Sequence, residues 1–136
     1  MAGIKVLLVD DEAGFRKTLG KRLGRRGMTV EEADSGEKAL EILESFEPDV
    51  VLLDVKMPGM DGLTTLHKLK LINPLVEVVM LTGHASMDIA INGMELGAFD
   101  YLMKPVEFEE LLYKLEDASI RKRHHEEKIT AKEHSQ

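Results

Sequence analysis

Short apolar runs alternate with amphipathic segments along most of this chain. Residues 4–9 are apolar except for Lys5, and residues 50–53 and 76–81 repeat the pattern with Glu77 as the single charged member. Residues 28–30 and 101–103 are shorter runs of the same kind. Strands that are apolar on both faces belong in parallel sheets covered by helices on each side. Between the runs, apolar side chains recur at the i, i+3, i+4, i+7 spacing of a helix face. Phe15, Leu19 and Leu23 form one stripe, and Ala39, Leu40, Ile42 and Leu43 a second. Leu63, Leu66, Leu69, Leu71 and Ile72 supply a third, Ile91, Met94 and Ala98 a fourth, and Phe108, Leu111, Leu112 and Leu115 a fifth. Five strand–helix units predict an open, doubly wound parallel α/β sheet, because a closed barrel of this kind needs eight.

The punctuation agrees. Gly24 and Gly27 are placed to end the first helix, Ser35 to cap the second, and Pro74 to close the third. Pro48 precedes the third strand and Pro58-Gly59 predicts a turn after it.

Composition narrows the function. With 136 residues and no cysteine, the chain can bury one core, and disulfides, thiolate metal sites and thiol nucleophiles are excluded. The absence of Trp and the scarcity of other aromatics argue against a base-stacking surface. The formal charge of −7 argues against direct binding to nucleic acid. No apolar run approaches the roughly 20 residues of a membrane span, and no signal peptide is evident, so a cytoplasmic location without membrane contact is expected. The charge is unevenly spread: residues 1–118 carry −9 and residues 119–136 carry +2. The latter segment has only Ile120 and Ile129 as large apolar residues, which predicts a polar helical extension or a disordered tail.

In such a sheet, ligands bind beyond the carboxyl ends of the strands, at the point where the strand order reverses. The residues there are Asp10, Asp11 and Glu12 after the first run, Asp54 after the third, Thr82 after the fourth and Lys104 after the fifth. If the strand order is 2-1-3-4-5, the first and third strands are neighbours at the switch point and Asp10, Asp11 and Asp54 converge. Two unit charges about 4 Å apart repel by roughly 4 kcal/mol at an effective dielectric near 20. Lys104 offsets one of the three, and a divalent cation would remove the rest. All-oxygen ligands favour Mg²⁺, with Mn²⁺ as an alternative. A carboxylate beside such a cation and a lysine is also a candidate phosphoryl acceptor.

Four strings carry a resemblance: Val9-Asp10-Asp11-Glu12; Leu53-Asp54-Val55-Lys56-Met57-Pro58-Gly59-Met60-Asp61-Gly62; Leu81-Thr82-Gly83-His84; and Gly97-Ala98-Phe99-Asp100-Tyr101-Leu102-Met103-Lys104-Pro105. Together they resemble the receiver domain of bacterial two-component response regulators, over residues 3–118, which implies a flavodoxin-like α/β fold, a doubly wound five-stranded parallel sheet with strand order 2-1-3-4-5. The resemblance implies that Asp54 accepts a phosphoryl group from a histidine kinase. It implies that Asp10, Asp11, Asp54 and the backbone carbonyl of Lys56 hold Mg²⁺, and that Lys104 contacts the phosphoryl group. Thr82 matches the switch hydroxyl and Tyr101 the aromatic that changes rotamer on activation. Pro105 matches a residue that follows a cis peptide bond. The face formed by helix 4, strand 5 and helix 5 is the expected surface for a target, an output domain or a homodimer. The implied activity is that of a phosphorylation switch with self-catalysed phosphorylation and dephosphorylation, not of a conventional enzyme.

Some positions individualise the chain. Lys56 and His84 lie two residues beyond the acceptor and the switch threonine, where they are expected to set the lifetime of the phosphorylated state. Val106 stands where Phe is common in the family, and a smaller packing contact is expected there. Helix 4, roughly residues 86–96, is apolar around much of its circumference, and whatever it leaves exposed is a candidate partner surface. The Thr-Gly-His and Gly-Ala-Phe-Asp-Tyr strings are similar to receivers that precede sigma-54-activating ATPase domains. The polar tail and the absence of a P-loop favour a stand-alone receiver over the N-terminal part of such an activator. Two rivals are also built on α/β sheets. A Mg²⁺-dependent aspartyl-phosphate phosphatase or phosphotransferase wants a second acid where Lys56 stands. A flavin carrier wants a hydroxyl- and Gly-rich phosphate loop where Asp10, Asp11 and Glu12 would repel the phosphate.

Overall fold

The computed structural model describes residues 3–57 and 60–134. Five strands and five helices alternate: β1 (Lys5–Val9), α1 (Ala13–Arg25), β2 (Thr29–Ala33), α2 (Gly36–Phe46), β3 (Val50–Asp54), α3 (Gly62–Ile72), β4 (Glu77–Thr82), α4 (Met87–Glu95), β5 (Asp100–Met103) and α5 (Phe108–His134). A short 3₁₀ turn over His84–Ser86 leads into α4. All strand pairs are parallel, in the order β2-β1-β3-β4-β5. This is the doubly wound sheet expected from the apolar pattern, in the flavodoxin-like strand order that the resemblance implies.

The strand pleat sorts the core into two layers. Val6, Leu8, Val50, Leu52, Val79 and Leu81 face α1 and α5, where they meet Leu19, Leu23, Leu111 and Leu115. Leu7, Val9, Val51, Leu53, Val78 and Met80 face the opposite way, onto Leu43, Leu66, Leu69 and Ala90 of α2, α3 and α4. β1, β3 and β4 are thus covered on both sides, which accounts for their near-continuous apolar sequences. β2 is an edge strand, and its Glu31 and Glu32 interrupt the apolar run, so it extends three residues beyond the stretch read as apolar.

The caps follow the local chemistry. Ser35 Oγ accepts from the Lys38 N–H at 3.1 Å and Asp61 Oδ1 from the Thr64 N–H at 2.8 Å. Gly24 lies inside α1 rather than ending it. The chain leaves the helix at Arg26, and Gly27 takes the left-handed conformation with φ 88°. The turn expected at Pro58-Gly59 lies outside the described residues. The Lys104–Pro105 peptide bond is cis.

α5 runs without a break through the change in composition at residues 118–119. Its continuation is tied to the amino-terminal ends of β3 and β4. Ser119 is buried, Lys122 Nζ donates to Asp49 Oδ1 at 2.9 Å, and Arg121 Nε lies 3.2 Å from Glu77 Oε2.

Gly62, the first residue of α3, lies against the loop that follows β3. A Cβ there would stand 2.5 Å from Val55 Cα and 2.7 Å from the Val55 carbonyl oxygen. Both are backbone atoms, so relief requires the loop and the helix to separate. Gly62→Ala is expected to destabilise the fold by about 2 kcal/mol, within the usual cost of overpacking. Equilibrium urea unfolding measures this.

Candidate functional site

The carboxyl ends of β1, β3, β4 and β5 meet at one end of the sheet. Asp10 follows β1 directly and Asp54 is the last residue of β3. Both carboxylates are buried, Asp10 at 2% exposure and Asp54 at 6%, whereas Asp11 is exposed. One carboxylate oxygen from each of Asp10, Asp11 and Asp54 lies within 4.8 Å of the others. Asp11 and Asp54 border an open cleft of about 670 Å³ whose other walls include Glu12, Lys56, Gly83, His84 and Lys104.

Each buried group is held. The Glu12 N–H donates to Asp10 Oδ1 at 2.9 Å and the Lys56 N–H to Asp54 Oδ1 at 3.0 Å. Lys104 reaches across from the end of β5. Its Nζ is 3.2 Å from Asp10 Oδ2, 3.5 Å from Asp54 Oδ2 and 3.7 Å from Glu12 Oε1, and 4.9 Å from the centre of the Phe15 ring.

The electrostatics follow from this geometry. Burial pushes the Asp54 carboxyl above the usual carboxylate range. The Lys56 N–H and the Lys104 charge pull it down, while the Asp10 charge adds to the rise. Burial alone would lower the Lys104 ammonium, but Asp54 and Asp10 outweigh it and hold its pKa above the ordinary lysine value. Among the described residues one lysine faces the three close carboxylates, which leaves two negative charges in excess. Three hard oxygen donors in one open cleft fit Mg²⁺ or Mn²⁺, which take carboxylates and keep several waters.

Thr82, the last residue of β4, is buried beside the cleft and its hydroxyl donates to the Gly83 carbonyl at 3.1 Å. Tyr101, in the edge strand β5, is half-buried against the layer that contains Val78, Met80 and Ala90. Lys56 and His84 are exposed on the cleft wall. Val106 is half-buried and lines a separate groove beside Phe15, Leu19 and Phe108. On α4, Ala90 and Gly93 face the sheet, whereas Ile91, Met94 and, just past the helix end, Leu96 are exposed. The site therefore gathers the residues singled out at the strand ends. The apolar pattern did not point to Arg16, which lies on the polar side of the α1 stripe and packs beneath Asp10.

The five-stranded parallel sheet thus holds an acidic triad and a lysine together at its switch point. The response regulator receiver domain family matches residues 6–116, and the chain belongs to that family. The chain is similar to the DNA-binding transcriptional regulator NtrC of Escherichia coli, 40% identical over 113 residues that make up 83% of this chain and 24% of that protein. It thus spans about a quarter of the length of these relatives. It is also similar to the sporulation initiation phosphotransferase F of Bacillus subtilis, 36% identical over 82% of this chain and 90% of that protein. Among solved structures, a response regulator receiver domain protein from Clostridium thermocellum superposes with a TM-score of 0.85 at 37% identity, covering 88% of this chain and 97% of that one. Among the described residues no helix is long and apolar enough to cross a membrane.

Proposed function

We propose that this receiver, residues 3–118 with 119–136 as an extension, accepts a phosphoryl group on Asp54 from the phosphohistidine of a histidine kinase. An Asp54 carboxylate oxygen would attack phosphorus, forming a P–O bond as the P–N bond breaks. The electron pair of that bond goes to the imidazole, which leaves and takes up a proton. The observation that carries this reading is the placement of Asp54 at the end of β3, with Lys104 Nζ 3.5 Å away and two further carboxylates within reach. Asp10, Asp11, Asp54 and the Lys56 carbonyl would hold Mg²⁺, which supplies charge neutralisation at the transferring oxygens. Lys104 offsets the charge that stays.

The phosphoryl group adds about −1.5 to −2 charge and three acceptor oxygens. Thr82 can exchange its Gly83 partner for one of them, and Tyr101 can then move inward. Shifting a two-state equilibrium from 1:99 to 99:1 takes about 5.5 kcal/mol. Two charge-assisted hydrogen bonds at about 1.5–3 kcal/mol each supply that order of energy. The readout surface is α4–β5–α5, where Ile91, Met94, Leu96 and Tyr113 are exposed. It would contact an output domain of the same chain, a separate target or a second copy, in the cytoplasm and without direct contact to nucleic acid. In this reading the domain is a switch rather than a conventional enzyme. Lys56 at the second position after Asp54 speaks against the phosphatase alternative.

Incubation with acetyl phosphate and Mg²⁺, followed by intact mass, tests the proposal. One added phosphoryl group is expected, and none when a chelator removes the metal. Absence of any gain, or gain that ignores the chelator, would contradict it. Lys56 and His84 face the same cleft and should control access of water to the phosphoryl group. Lys56→Ala or His84→Ala is expected to change the dephosphorylation half-life by at least about threefold, a barrier change near 0.7 kcal/mol. Unchanged half-lives in both would assign them no kinetic part.

A further inference from the structure

We infer that Arg16 is a positioning residue for the divalent cation, acting through the peptide unit that joins Asp10 to Asp11, and that Glu32 holds it in that role. The inference rests on the metal reading above. Arg16 lies in the first turn of α1, and its side chain is 12% exposed. Its Nη1 donates to the Asp10 carbonyl oxygen at 2.7 Å and its Nε to Glu32 Oε1 at 2.9 Å. Both are short, charge-assisted contacts from one planar fork.

The Asp10 carbonyl needs such a partner. β1 ends at Val9, and the last interstrand bond on this side is from the Asp10 N–H to the Ala33 carbonyl at 3.1 Å. The Asp10 carbonyl lies one step beyond the ladder, and a buried carbonyl without a donor is costly. This oxygen belongs to the planar unit that carries the Asp11 nitrogen, so holding it fixes how the two acidic residues are oriented relative to each other. Asp10 is otherwise held through its carboxylate, by the Glu12 N–H and Lys104. Asp11 is exposed, so its placement depends on the backbone that Arg16 holds.

Glu32 gives the arrangement its direction. It lies on the edge strand β2, opposite Leu8 of β1, and accepts the Arg16 Nε. Without it, the guanidinium would be held by the Asp10 carbonyl alone, with no carboxylate partner of its own, and could turn toward the acidic cluster and compete with the metal. Glu32 thus directs the charge away from the acidic cluster while leaving Nη1 on the Asp10 carbonyl.

Mn²⁺ binding to the full chain, followed by the electron paramagnetic resonance signal of free Mn²⁺, tests this without phosphorylation. Partners that orient metal ligands typically contribute ten- to a hundredfold in affinity. Arg16→Ala is expected to weaken Mn²⁺ binding about tenfold, and Arg16→Lys, which keeps the charge but not the fork, to restore part of it. Glu32→Ala, at an edge-strand position, is expected to weaken binding at least about threefold and serves if Arg16→Ala does not fold. Urea unfolding in chelator identifies the folded variants. Folded variants that bind Mn²⁺ within twofold of the unsubstituted protein would overturn the role of Arg16. Absence of Mn²⁺ binding to the unsubstituted protein would overturn the metal reading itself, and the inference with it.

Discussion

Asp54→Asn is expected to abolish phosphoryl incorporation while raising the stability of the metal-free protein by about 1 kcal/mol. The first effect is the loss of the only nucleophile proposed. The second comes from the acidic cluster. Asp54 faces Asp10 and Asp11 across less than 5 Å with Lys104 as the neighbouring cation. A close like-charge pair costs up to about 4 kcal/mol at an effective dielectric near 20, of which Lys104 offsets a large part. The sign of the pH dependence follows. The folded Asp54 carboxyl sits above its unfolded value of 3.8, so the native state binds this proton more tightly. Its stability therefore falls as pH rises from the unfolded to the folded pKa and is level above that. The advantage of Asp54→Asn should develop over the same interval, persist at neutral pH, and shrink when Mg²⁺ neutralises the cluster in the unsubstituted protein. Urea unfolding with and without Mg²⁺ measures both.

Lys104→Ala is expected to move two quantities in opposite directions. The ammonium bridges Asp10 and Asp54 at 3.2 and 3.5 Å. A hydrogen bond to a charged group is worth about 1.5–3 kcal/mol, so losing one that acts on the transferring group slows phosphorylation roughly ten- to a hundredfold. The same substitution leaves three carboxylates with no lysine, so Mn²⁺ should bind several-fold more tightly. A variant that was merely damaged would lose both activities. Acetyl phosphate kinetics and Mn²⁺ titration on one preparation separate the two outcomes.

The layer that positions the site was legible because β1, β3 and β4 are buried on both faces and their sequences state it. The acidic residues and Lys104 could be placed together because parallel strands all deliver their carboxyl ends to one side of the sheet. Edge elements were less legible. β2 carries Glu31 and Glu32 on a strand with a neighbour on one side only, and its apolar signal stops at Val30. The continuation of α5 has few apolar residues, yet Lys122 and Arg121 pair with Asp49 and Glu77 of distant segments. Such pairs leave no periodicity to read. Arg16 was missed for a related reason: it is one of several basic residues on the polar side of α1. Only the fold shows that its guanidinium turns inward to the Asp10 carbonyl.

Asp54, and no other residue, is expected to carry the phosphoryl group. Borohydride reduction of the protein after treatment with acetyl phosphate and Mg²⁺ converts an aspartyl phosphate to homoserine, which peptide mapping locates. Homoserine at position 54 alone is the predicted result. Homoserine at another aspartate, or none in folded protein that binds Mn²⁺, would contradict it.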